Sequence, residues 1–167
     1  MLADPAPVKQ GRNSDKEAMR KVLFASTHHH NGPQIAAAFF NAFCAPALVK
    51  AVSAVSKSPD RAPNEVAEAM TEIGFDLSAG RAQPLTAELV RSADLVVCLG
   101  RGECPVVPGQ RRIDWTVEEP TSWSREHLRS LRDELRAKVW RLVAKEGWYK
   151  LQPVSALRQP QVLEAGV

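Results

Sequence analysis

Three of the chain's four histidines stand side by side, at His28, His29 and His30, just after Ser26 and Thr27. Imidazole titrates near neutral pH, so it can take up or release a proton under physiological conditions. His29 and His30 follow the Ser26 hydroxyl by three and four residues, a separation that a tight loop brings within reach. Proton transfer is the chemistry this spacing favours. Metal ligation is the competing reading: in an extended segment alternate side chains share a face, so His28 and His30 converge while His29 turns away. Two histidines with a carboxylate supply the donor set of many non-haem iron and zinc sites. The acid–base reading is preferred, and neither a metal nor any other cofactor is expected.

Sulfur is the other source of chemistry. The three cysteines, Cys44, Cys98 and Cys104, are too few and too widely spaced for a disulfide framework or a zinc ribbon. A reducing compartment would keep them as thiols. Cys44 and Cys98 read as packed core residues.

The elements that must position these groups alternate along the chain. Apolar, β-branched-rich runs at 21–26, 49–54, 94–99 and, more weakly, 110–114 predict strands. Between them, 34–43, 64–73 and 86–92 carry helical patterns, with Asn64 and Thr86 as caps and Gly74 as a stop. The clearest helix is 124–146, where Leu128, Leu131, Leu135, Val139, Leu142 and Val143 recur at helical spacing and Gly147 closes the run. This alternation is the sequence form of a parallel sheet wrapped by helices. In such sheets ligands bind beyond the C-terminal ends of the strands, so the segment after the first strand, Ser26 to Gln34, is where chemistry belongs.

At 167 residues, with 44% hydrophobic and 25% charged content, the chain suits one soluble domain. A flexible N-terminal extension is expected over 1–20, a domain over 21–147 and a C-terminal tail over 148–167; both ends carry prolines and no apolar period. The net charge of +3 is dispersed, which argues against nucleic acid as a partner. No apolar run reaches membrane-spanning length and the N-terminus lacks the apolar core of a signal peptide, so a cytoplasmic protein that engages no membrane is expected. The expected partner is a small-molecule substrate, with a homodimer left open. The composition, rich in Ala, Arg, Val and Pro and poor in Lys, suggests a GC-rich bacterial source and a place in specialised metabolism.

Val22-Leu23-Phe24-Ala25-Ser26-Thr27-His28, followed by Gly32 and then Gln34-Ile35-Ala36-Ala37-Ala38-Phe39-Phe40, resembles the phosphate-loop region of the low-molecular-weight tyrosine phosphatase and thioredoxin-coupled arsenate reductase family. The likeness continues through Val52-Ser53-Ala54, Ile73-Gly74, Asp76-Leu77-Ser78, Pro84-Leu85-Thr86 and Ala93-Asp94-Leu95-Val96-Val97, then Cys104-Pro105, Pro108-Gly109 and Asp114-Trp115. It covers roughly residues 20–145. It implies a three-layer α/β sandwich, phosphotyrosine phosphatase I-like, with a four-stranded parallel sheet of order 2-1-3-4 flanked by helices.

The departures fall on the chemistry. Where the family signature has a nucleophilic Cys, then five residues, Arg and Ser or Thr, this sequence has Ser26, Gly32 and Pro33. A thiol can ionise near neutral pH at a helix N-terminus, whereas a serine hydroxyl needs a positioned base, and oxygen cannot serve the redox step of arsenate reduction. Gly32 removes a bidentate guanidinium and Pro33 a backbone donor. At about 1.5–3 kcal/mol per charge-assisted bond, losing two or three weakens dianion binding by about three decades or more. Pro33 still suits the first helical turn, with Asn31 or Gly32 as cap.

The resemblance also places Glu119-Pro120 at the family's general-acid Asp-Pro, and the second arsenate-reductase thiol near Arg101, while Cys104 matches a cysteine common in that branch. His28 matches a histidine common in the family loop, so only His29 and His30 are new. Arg101 follows the third strand, which should neighbour the first, and is placed to restore the cation lost at Gly32. Trp115 and Trp123 lie where a loop would close over the site, either to cover an organic substrate or to pack on the sheet edge.

The expected catalytic set is Ser26, His29, His30 and Glu119, with Thr27, His28, Asn31, Gly32, Arg101 and Trp115 binding the substrate. The resulting reading is a repurposed enzyme that uses acid–base chemistry in the former phosphate pocket. The alternative is an inactive pseudophosphatase that binds a ligand or protein partner.

Overall fold

The computed structural model describes residues 19–27, 31–56, 64–77, 80–100, 104–117 and 124–150. In chain order the elements are β1 (Arg20–Ser26), α1 (Gly32–Phe43), β2 (Val49–Val55), α2 (Asn64–Thr71), β3 (Gln83–Pro84), α3 (Ala87–Ser92), β4 (Leu95–Leu99), β5 (Arg112–Trp115) and α4 (Arg125–Glu146). The strands form one parallel sheet in the order β3-β2-β1-β4-β5.

The α/β expectation holds, with one strand more than the four expected. That strand, β3, is two residues long and pairs with Ala54 and Val55, and Leu85 N donates to Val55 O at 3.0 Å. Two residues are too few to leave a periodic signal, and Pro84 is tolerated because the strand lies at the sheet edge.

β1 lies at the centre, which is why Val22, Leu23, Phe24 and Ala25 are all fully buried. Its side chains divide between two cores. Val22 and Phe24 join α1, α2 and α4 on one face, while Leu23 and Ala25 join Val90 of α3 and Val96 of β4 on the other. Phe24 meets Phe40 edge-on with ring centroids 5.6 Å apart, and Phe39 meets Phe75 at 4.9 Å. Truncating a buried Phe such as Phe40 to Ala costs about 3–5 kcal/mol, enough to unfold a marginal domain.

Local signals set most helix ends. Ser124 Oγ accepts from His127 N at 3.3 Å, Thr86 Oγ1 accepts from Leu89 N at 3.1 Å, and Gly147 ends α4 with φ 70°. α2 stops at Thr71, two residues before its expected end, and the chain turns through Gly74 with φ 85°. α2 and α4 are clamped by arginines: Arg129 forks onto both oxygens of Glu72 at 2.9 and 2.8 Å, and the buried Arg132 donates to Ala69 O at 2.7 Å.

Trp148 is buried against Phe40, Ala45 N donates to Trp148 O, and Lys150 N donates to Phe43 O. No helix among the described residues is long and apolar enough to cross a membrane.

Candidate functional site

The ends of β1 and β4 and the first turn of α1 converge. Ser26 ends β1, opposite Val55 of β2, and Ala25 lies opposite Cys98 of β4. Ser26 is fully buried and its side chain is engaged. Thr27 follows it, half-buried. His28, His29, His30, Arg101, Glu119 and Trp123 lie outside the described residues.

α1 begins at Gly32 with Pro33 in its first turn, as a missing N–H permits there. Asn31 occupies the cap position but its side chain makes no capping bond. Its φ of −101° and ψ of −36° are helical, whereas a capping side chain needs an extended backbone to reach the free amides. Its carbonyl instead accepts from Ile35 N at 3.1 Å.

Among the described residues, the buried side-chain oxygens without a hydrogen-bond partner are Thr27 Oγ1, Asn31 Oδ1 and Gln34 Oε1. Thr27 and Asn31 flank the turn between β1 and α1, and Gln34 lies in the first turn of α1. Asn31 is only 3% exposed and Gln34 5%. Leaving a buried acceptor unpaired costs about 1–3 kcal/mol, so each of these oxygens gains by meeting a donor. Gln34 was not among the site residues expected from sequence. The signal for it was a lone amide at the head of an otherwise apolar run, Ile35 to Phe40.

Gly32 is equally constrained. A Cβ built there would stand 2.9 Å from Leu99 Cδ2 and 4.0 Å from Leu135 Cδ1. The space beside Gly32 into which a side chain would project is therefore filled by the last residue of β4.

Trp115, expected in a covering loop, is the last residue of β5. Its ring packs on Phe24 with centroids 5.8 Å apart and its carbonyl accepts from Gly100 N at 2.9 Å. It is partly buried against the core at the sheet edge, the alternative to a covering role.

The expectation of free thiols is corrected. Cys98 and Cys104 form a disulfide with Cα atoms 6.4 Å apart, within the normal range of roughly 4.4–6.8 Å. Both are buried on the face covered by α3, and Arg112 Nη1 donates to Cys104 O at 3.1 Å. A six-residue spacing gave no hint of pairing, because the contact depends on the chain folding back past the end of β4. Cys44 remains a free thiol, fully buried, and burial pushes its pKa up to about 12 although Lys150 opposes the shift. No set of three His, Cys, Asp or Glu side chains among the described residues gathers to hold a metal.

Residues 21–150 match the family described as low molecular weight phosphotyrosine protein phosphatase. A curated relative from Halobacterium salinarum, named "Putative arsenate reductase", is 28% identical over 81 residues, which is 48% of this chain and 57% of the relative. The chain thus matches little more than half of that relative's length. The thioredoxin-dependent arsenate reductase Cg_ArsC1' of Corynebacterium glutamicum superimposes with a TM-score of 0.66 and 26% identity, over 78% of this chain and 63% of the other. An arsenate reductase from Archaeoglobus fulgidus superimposes with a TM-score of 0.60 and 27% identity, over 74% of this chain and 98% of the other. With a family match that runs through the whole sheet, this chain belongs to the low molecular weight phosphotyrosine protein phosphatase family.

Proposed function

We propose that this member of the family has been repurposed: it acts on a small organic substrate by acid–base chemistry in the former phosphate pocket, without thiol-dependent phosphatase or arsenate reductase activity. The observation that carries this reading is the pair of unpartnered oxygens on Thr27 and Asn31, on either side of the turn after β1. The amide oxygen of Asn31 can only accept and offers a phosphate or arsenate dianion no donor, while the Thr27 hydroxyl serves either way. A substrate bearing hydroxyl or amine groups supplies the donors they lack, each bond returning on the order of 1 kcal/mol.

The residue changes run in the same direction. Similar proteins are described as arsenate reductases, one of them thioredoxin-dependent, but Ser26 stands where that chemistry needs sulfur. Gly32 and Pro33 replace a guanidinium and an N–H donor. His29, His30 and Glu119 are the proposed proton carriers, with Thr27, His28, Asn31 and Arg101 holding the substrate.

The test has two arms. The purified protein is assayed with an aryl phosphate and with arsenate plus a thioredoxin system, and neither is turned over at an enzymatic rate. Small alcohols, amines and amino alcohols are then screened for thermal stabilisation, and a stabilising compound is followed by NMR for conversion that disappears in His30→Ala. Enzymatic turnover of the phosphate or the arsenate, unchanged in Ser26→Ala, would sink the proposal. The full burial of Ser26 favours a second reading, a pseudophosphatase that binds without chemistry; stoichiometric binding with no conversion would select it.

A further inference from the structure

Beside α1 lies a second cavity that none of Ser26, Thr27, Asn31 or Gly32 lines. It occupies about 410 Å³ between α1, the outer edge of β2 and the chain that leads from α2 into β3. That volume falls within the roughly 300–1,000 Å³ of small-molecule sites. The edge is open there because β3 pairs only with Ala54 and Val55 and leaves the earlier part of β2 without a neighbour on that side. Asn41 covers the next stretch: its amide donates to Ala51 O at 3.0 Å and accepts from Ala51 N at 2.8 Å.

The lining is graded. Gln34 and Ser53 contribute buried polar groups, 5% and 7% exposed, and the Gln34 Oε1 has no partner. Ala37, Ala38, Val52 and Leu77 give apolar walls. Lys50 and Arg81 stand exposed at the rim, two cations against the single carboxylate of Asp76.

We infer that this cavity is a binding site for a small carboxylic acid that carries a hydroxyl at its far end. The hydroxyl donates to Gln34 Oε1, the aliphatic middle lies along the alanine wall, and the carboxylate pairs with Lys50 and Arg81. The inference does not depend on the chemistry proposed for the Ser26 loop.

The test titrates the full-length protein with linear ω-hydroxy acids of four to eight carbons, the matched fatty acids and the matched alcohols. Binding is followed through the backbone amide resonances of Ala37, Ala38 and Ser53. At least one ω-hydroxy acid is expected to shift these resonances and to bind about tenfold or more tightly than its fatty acid, which leaves the Gln34 oxygen unpaired, and than its alcohol, which lacks the charge. Gln34→Met should erase the preference over the fatty acid, and Lys50→Gln with Arg81→Gln the preference over the alcohol. The inference is overturned if no probe at about 10 mM moves those amides, a concentration that would reveal even millimolar affinity. Equal binding by all three classes, or preferences that survive the substitutions, would overturn it as well.

Discussion

Leu99 closes the space beside Gly32: a Cβ at position 32 would lie 2.9 Å from Leu99 Cδ2, nearer than real Cβ contacts come. The two residues sit at the ends of β4 and α1 that frame the candidate site, and both are buried. The absence of a side chain at 32 and the leucine that fills the space beside it are therefore one packing arrangement. A guanidinium cannot return there unless Leu99 yields.

Gly32→Ala should accordingly destabilise the domain. Overpacking typically costs about 1–3 kcal/mol, which outweighs the roughly 1 kcal/mol of helix propensity that Ala gains over Gly. Trimming the neighbour with Leu99→Val removes the colliding methyl, so the double variant should cost less than the sum of the singles by about 0.5 kcal/mol or more. Urea unfolding of the four proteins measures this. A Gly32→Ala protein as stable as the parent would show that Leu99 moves aside freely.

Thiol counting checks the sulfur arrangement. Cys44 is buried with its pKa near 12, and the other two cysteines are bonded to each other. Only the thiolate reacts quickly, so the native protein should show no reactive thiol at mildly alkaline pH. Unfolding without reductant should expose one thiol, and reduction should expose all three cysteines. Three thiols in the unfolded, unreduced protein would mean the Cys98–Cys104 bond is absent in solution.

Glu72 gives a pH signature. Hydrogen bonds from Arg129, then the nearby charges and Arg132, hold its carboxyl down at about 2 against an ordinary 4.5. A depressed folded-state pKa stabilises the fold above the unfolded value and ceases to do so as pH falls through the folded one. The contribution is thus present above about 4.5 and lost between there and about 2. Because the pair is solvent-exposed, the effect should be small and weakened by salt. In Glu72→Gln the melting temperature should fall less steeply across that interval; an unchanged slope would leave the clamp without electrostatic weight.

Legibility followed the range of the interaction. Ser124, Thr86 and Gly147 act within one turn of chain, and each was readable as a cap or stop. The leucine stripe of α4 was readable for the same reason, because one helix carries the whole period. β3 was not, since two residues have no period and exist as a strand only through Val55. Nor was the Cys98–Cys104 bond, which joins residues by folding rather than by spacing. Asn31 looked like a cap by type, yet its helical backbone turns the side chain from that duty and leaves its oxygen unpaired. Topology alone points to the turn after β1 as the candidate site, whereas the unpaired oxygens of Thr27 and Asn31 depend on packing that no local pattern records.

The last prediction tests the proposed departure from the family's chemistry by reversing it. The sheet and the aromatic core around Phe24 and Phe40 lie outside the altered positions, so the combined change Ser26→Cys, Gly32→Arg and Pro33→Ser should still fold once Leu99→Val makes room for the arginine. Serine at 33 restores a backbone donor at the start of α1, and arginine at 32 restores a charge-assisted fork for an anion. A thiol at 26, at the head of that helix and beside a cation, should ionise below its free value of about 8.5. The four-site variant is expected to bind inorganic phosphate and to hydrolyse an aryl phosphate weakly. The version that keeps Leu99 should do so less well and melt lower. Glu119 would serve as the acid, but its extra methylene displaces the carboxyl by about an ångström, which costs up to ~100-fold in rate, so adding Glu119→Asp should raise turnover. Phosphate binding and initial rates across these variants decide the matter. A folded four-site variant that binds no phosphate would mean that the turn between Ser26 and Pro33 has left the family's geometry, with the histidines of that turn arranged for a purpose other than proton transfer.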